Sequence, residues 1–418
     1  MTTPGLDSYS REQLARIGRE YMLLGQLNSR TGYAALAMNH GQEAYKETAI
    51  HNWMAASPVY SKRMQSAMRL NTKSDVEAIL KGMQLECGLS HQYFDAHFEM
   101  TGDDEGVFWL DRCGPLLDTE PRGEAAVKVM CHDIEDPTFD ATAAAGNPRA
   151  RVRPVHRPPR VPTDGSPVCR WRVFIDPEAE PLGVPDVALP VIETRLANTP
   201  IDRNDMDESD GLDYYDGELF EKLELERFSR QALLVICKEL GIQIHLLIHT
   251  LGLAVASRYG QAAVADITAF QMTGSCWVAS ERLASCLELT DGGIDAVVDV
   301  VNVHPAFQPQ EYSVVNIQKT SPDSAVLTLK HCAAQDDTNV LGWFNLLMSG
   351  RDEGLVALIQ GVDNRAIVTA TANPLEWQIT ISSDTKPAEP PPAVHVAKGT
   401  PLYTFKLENH IELLDITS

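Results

Sequence analysis

SREQLARIGRE, residues 10–20, and SRQALLVICKE, residues 229–239, are the two strings from which the fold is read. They lie 219 positions apart, and the offset persists beyond them. Without a gap, Gly41-Gln42 falls on Gly260-Gln261, Arg63 on Arg282 and Leu70 on Leu289. After a one-residue slip and return, Tyr93 falls on Tyr312, Asp104 on Asp323 and Cys113 on Cys332. Apolar positions stay opposite apolar positions throughout. The register predicts one domain written twice.

Each copy follows one plan. In the first, Leu14, Ile17, Tyr21 and Leu24 recur at three- and four-residue steps within a helical region over 10–85. SDVEAILKGMQL, 74–85, opens with a serine N-cap and has acids in its first turn. YFDAHFEM, TGDDEG and VFWLDRC then read as strand, turn and strand. A helix over 121–145 is stopped by Gly146 and Pro148, and RARVRPVH and VCRWRVFI follow as two more strands. The second copy repeats this with YSVVNIQK, AVLTLKHC, a helix near GWFNLLMSGRDEGLVALIQG, then AIVTATA and LEWQITIS.

The expected fold class is therefore α+β, a tandem duplication of a helical layer and an antiparallel sheet forming an internal pseudo-dimer. The expected domains are 1–176, carrying the site, and 226–382, its degenerate partner. Between them, 177–225 is Pro-rich and then acidic; it reads as a linker or surface wrap, or alternatively a lid. Residues 383–418 read as a Pro-rich spacer before a C-terminal strand, PLYTFKLENHIELLDI.

Composition narrows the partners. Among 418 residues, 44% are hydrophobic, enough for real cores. A net charge of −23 disfavours a nucleic-acid groove and docking on an anionic membrane, since both need cations. No secretory signal is visible, and HLLIHTLGLAVA from His245 falls short of the ~18 apolar residues of a membrane span. Eight cysteines without a CxxC pair suggest a reducing cytoplasm. The expected partner is a small-molecule substrate or ligand, with a homo-oligomer left open.

The chemistry concentrates between Cys113 and Cys169. Cys131, in MCHDIEDPTFD, is a nucleophile if a cation, histidine or helix terminus makes it a thiolate; otherwise it is a buried small hydrophobe. His132 is a candidate proton carrier, and Asp133 and Asp136 candidate orienting bases, with Glu135 and Asp140 nearby. Pro137 allows a helix kink at the cysteine. Cys113, His156 and Cys169 form a weak zinc set, and zinc is the one cofactor suggested. Cys113 keeps its partner Cys332 in the second copy, which moves it toward packing. Cys131 and Cys169 have no counterparts there.

Arg149, Arg151, Arg153, Arg157 and Arg160 alternate along RARVRPVHRPPR. Arg151, Arg153 and His156 are candidate substrate contacts, the guanidiniums clamping a carboxylate or phosphate, with ion pairing to the acidic linker as the alternative. His245 and His249 have metal-ligand spacing, but their apolar neighbours favour a core role.

Cys131 with its acids, GNPRARVRP and DGSPVCRWRV resemble the end of the L-2-amino-thiazoline-4-carboxylic acid hydrolase family. The element order more loosely resembles 4-vinyl-reductase and TRAPP-like ligand-binding domains. The first resemblance implies hydrolytic opening of a C–N bond in a small heterocycle near Cys131. The second implies a non-catalytic module for an aromatic or lipid-like ligand; a cyclase or lyase using the same pocket is a third possibility. His132 and the RPVHRPPR run depart from the hydrolase pattern.

Overall fold

Ser10 accepts a hydrogen bond from the Gln13 amide and so opens the first helix, α1 (Arg11–His40). In the computed structural model, which describes residues 5–70, 73–90, 92–162, 165–203, 210–289, 291–337 and 342–399, α1 meets α2 (Gln42–Ala67) at Gly41. There φ is 87°, a conformation that favours glycine. Helix α3 (Asp75–Gln84) starts at Ser74, whose side chain accepts from the Glu77 amide. Strands β1 (Phe94–Gly102) and β2 (Glu105–Cys113) form the expected hairpin. Then come α4 (Gly114–Thr119), α5 (Glu124–Lys128), a π-helical turn over Val129–Ile134, and α6 (Glu135–Ala144). Strands β3 (Ala150–His156) and β4 (Cys169–Ile175) complete a sheet of order β1-β2-β4-β3, antiparallel throughout.

One face of this sheet packs against the helices. Phe108 lies opposite Trp171 in the β2–β4 register, the rings stacking at 6.3 Å. Phe139 of α6 meets Trp171 edge-on at 4.9 Å. Burying a side chain of this size contributes about 1.5–3 kcal/mol. The other face carries His97, Trp109 and Arg170.

After α7 (Leu189–Ile192), α8 (Arg230–Cys286) opens on Ser229, whose side chain accepts from Ala232. It bends at Gly260, φ 79°, 219 positions after Gly41. Helix α9 (Gly293–Val303) precedes strands β5 (Val315–Ser321) and β6 (Ser324–Leu329). Helices α10 (Ala333–Asp336), α11 (Trp343–Met348) and α12 (Glu353–Val362) then lead to β7 (Ala366–Ala370) and β8 (Glu376–Ile381). The second sheet has order β5-β6-β8-β7, again antiparallel.

Where the helical layers meet, ion pairs cross in both directions. Arg63 of α2 binds Glu239 of α8 at 2.8 and 2.9 Å, and Arg282 of α8 binds Glu20 of α1, with one contact at 2.9 Å. Each residue of one pair lies 219 positions from its counterpart in the other.

Three sequence expectations need correction. The single helix near 342–361 is two helices, because Gly350, φ 80°, turns the chain between them. The spacer contains α13 (Pro392–Lys398), docked through the buried Ala393, Val394 and Ala397 and through a 2.6 Å Lys398–Glu281 ion pair. A helix long and apolar enough to cross a membrane does exist: α8 has a window of mean hydropathy 1.6, of which 83% is buried within the fold. The proposed C-terminal strand falls outside the described residues. The segment after β4 wraps both halves: Phe98 donates to the Glu221 carbonyl, and Arg195 and Leu196 donate to Asp337.

Candidate functional site

Helix α5 runs into the π turn because Pro137 has no N–H to return to residue 133. The break expected at the proline takes the form of this π turn, just before it. Cys131 sits in this turn, 3% exposed. Burial pushes its thiol well above the ordinary range, and the charges of Glu135, Cys113 and Cys169 push it further, with Arg157 opposing. Such a thiol stays protonated, which removes the thiolate that a nucleophile needs. Burial likewise raises the Glu135 carboxyl to about 8, with Arg157 opposing and Asp136 adding to the rise. Glu135 thus holds a proton at neutral pH.

The other candidates are dispersed. His132 Nε2 donates to the Pro158 carbonyl at 2.8 Å. Asp133 is exposed, 3.9 Å from Lys46. Asp136 pairs with Arg157. Arg151 is buried and donates to the carbonyls of Pro148, Ala150 and Glu180. Arg153 holds Asp140 at 2.8 and 2.9 Å, while Asp140 also accepts the Val152 amide. The arginine clamp is thus corrected to internal pairing: these guanidiniums fasten β3 to α6 and to the wrapping segment.

The zinc set is not brought together. His156 is exposed and stands opposite Arg170 in the β3–β4 register, one residue from the buried Cys169. Successive residues of a strand point to opposite faces, so the imidazole and the thiol lie on different sides of the sheet. Burial raises Cys169 to about 12 and Cys113 well above its ordinary value. Cys113 is 5% exposed, in keeping with packing. His245 and His249 are core residues, 0% and 3% exposed, ringed by Tyr312 and Phe344.

A second constellation lies on the outer face of the first sheet. His97 and Trp109 share a rung of the β1–β2 ladder and stack at 4.9 Å; the Arg170 guanidinium lies 5.1 Å from the indole centre. His97 Nδ1 is 2.8 Å from Glu221 of the wrapping segment. Beside them a cavity of ≈ 620 Å³ is lined by Glu77, Glu99, Glu218 and Glu221, by Phe98, Met100, Trp109 and Leu219, and by a single cation, Lys73. The alternation in YFDAHFEM already set Asp95, His97 and Glu99 apart from the core positions. The partner strand and Glu221, 124 residues away, have no local signature.

No family model, curated protein or solved structure matches this chain.

Proposed function

We propose that this chain binds a small cationic molecule with an apolar part, in the cavity along the β1 edge of the first sheet, between α3 and the wrapping segment. The carrying observation is the lining: Glu99, Glu218 and Glu221 with Lys73 around Trp109 and Phe98, the fourth carboxylate, Glu77, being paired with Lys81 at 2.8 Å. The volume of ≈ 620 Å³ suits a small organic ligand. Trp109 already stacks with a guanidinium, the same chemistry an amine would use. We further infer that the two halves are copies of one domain and that the first is the working copy. The matched glycine bends, serine caps and crossed ion pairs support this. At the rung of His97 and Trp109 the second sheet has Asn316 and Thr328. Eight free thiols support a reducing compartment.

Calorimetric titration with tryptamine and with its neutral indole analogue tests the binding. Tryptamine should bind the more tightly, and Trp109→Ala or Glu218→Gln should weaken it about three- to tenfold. Equal binding of the amine and the neutral analogue would remove the reading.

A second reading, hydrolysis of a cyclic C–N bond, is favoured by one observation: Glu135 is a protonated carboxyl beside three cysteines at a π turn, suited to donate a proton to a leaving nitrogen. Turnover of 2-amino-thiazoline-4-carboxylic acid should then fall as pH rises through about 8, where Glu135 loses its proton. Glu135→Gln should abolish it, while Cys131→Ser should leave most of it. Turnover rising above pH 8 would count against Glu135 as the acid.

A further inference from the structure

We infer that Asp95, His97 and Asp111 bind one divalent transition-metal ion on the outer face of the first sheet. Among the described residues this is the group whose three ligand atoms all lie within 4.8 Å of one another. His97 Nε2 is 3.2 Å from Asp111 Oδ2 and 3.6 Å from Asp95 Oδ1. Ligands about 2.0–2.1 Å from a tetrahedral ion are separated by about 3.3–3.4 Å. The two spacings from the histidine bracket that value.

The histidine's hydrogen bonding carries the inference. A carboxylate only accepts, so the 2.8 Å contact with Glu221 places a proton on Nδ1. Nε2 is then the nitrogen left to face Asp95 and Asp111, and it is enclosed without a hydrogen bond. A lone pair facing two carboxylates is repulsive unless a metal ion or a proton lies between them. A ring nitrogen bound to carboxylate, with the other nitrogen facing ligand oxygens, is how metal-binding histidines are oriented. Trp109 holds the ring plane from one side. Ser166 holds Asp111 Oδ1 at 2.8 Å, leaving Oδ2 toward the histidine. Lys222, 2.6 Å from Asp95 Oδ1, is the competitor that a metal would displace. The positions 219 residues on are Val314, Asn316 and Lys330, a set that would not hold a cation.

This site shares Glu221 with the proposed amine pocket, but its test uses metal alone, so either reading can fail without the other. Apo protein is titrated with Zn²⁺ in a calorimeter at 0.15 M salt, which screens loose binding to a chain of charge −23. The expected result is one equivalent bound. His97→Ala and Asp111→Asn should each weaken it at least about tenfold, Glu221→Gln about tenfold or more, and His156→Ala not at all. Asp111 is partly exposed outside the core, so its variant should fold, as circular dichroism checks. No saturable binding to the wild type, or equal binding to the His97 and Asp111 variants, overturns the inference and leaves a protonated imidazole as the occupant.

Discussion

Arg63→Ala should cost about 3–5 kcal/mol of stability in urea unfolding, because it leaves Glu239 buried without its cation. Glu239 is 4% exposed, and burial already raises its carboxyl despite Arg63. Arg282→Ala should destabilise through the same mechanism, leaving Glu20 with little more than the long 3.4 Å contact from Gln92. The two losses should not be equal. Arg63 also donates to the carbonyls of Ala197 and Thr199 at 2.8 and 2.9 Å, in the wrapping segment, and both residues are buried. Each acceptor left without a donor adds about 1–3 kcal/mol unless water reaches it. Arg63→Ala should therefore be the worse variant and should also expose the 195–203 segment to protease. Losses below about 1 kcal/mol for both would mean that these pairs behave as surface ion pairs.

The crossed pairs also mark what was legible in the sequence. Offset matching aligned Arg63 with Arg282 and placed Glu20 and Glu239 at the ends of the two opening strings. It did not reveal that each arginine reaches the other half, because pairing across an interface leaves no local periodicity. The strands were readable because alternation and turn residues are local signals. The break between α11 and α12 falls in the short polar stretch 349–353, between apolar runs whose spacing reads as one helix.

The candidate site was less legible for a related reason. Residue types that carry chemistry are densest in sequence between Cys113 and Cys169. Folding buried the thiols and matched the arginines with nearby acids and carbonyls. His97, Asp111 and Glu221 are far apart in sequence and meet through sheet register and the wrapping segment. Charged residues gain function from what faces them, and only the sheet register and the wrap supply that.

Trp171→Ala should also cost about 3–5 kcal/mol, from lost burial and from the cavity left among Phe108, Phe139 and the Arg157 guanidinium. Its consequence at the site is more specific than the stability loss. Phe139 belongs to α6, which continues from the π turn of Cys131, so the cavity loosens the element that keeps this thiol covered. Alkylation of Cys131 by iodoacetamide, followed by peptide mass spectrometry below the unfolding transition, should be negligible in the wild type and at least about tenfold faster in Trp171→Ala. Trp377 provides the control. It is 1% exposed in the second sheet, and its Nε1 donates to Asp352 at 2.9 Å. Trp377→Ala should lose comparable stability, with the unpartnered Asp352 adding to the loss, and yet leave Cys131 unreactive. If both variants expose Cys131 equally, the two halves open as one cooperative unit and the packing of α6 on Trp171 is not what protects the thiol. If neither does, the π turn is held by its own helix and by α2 rather than by the sheet.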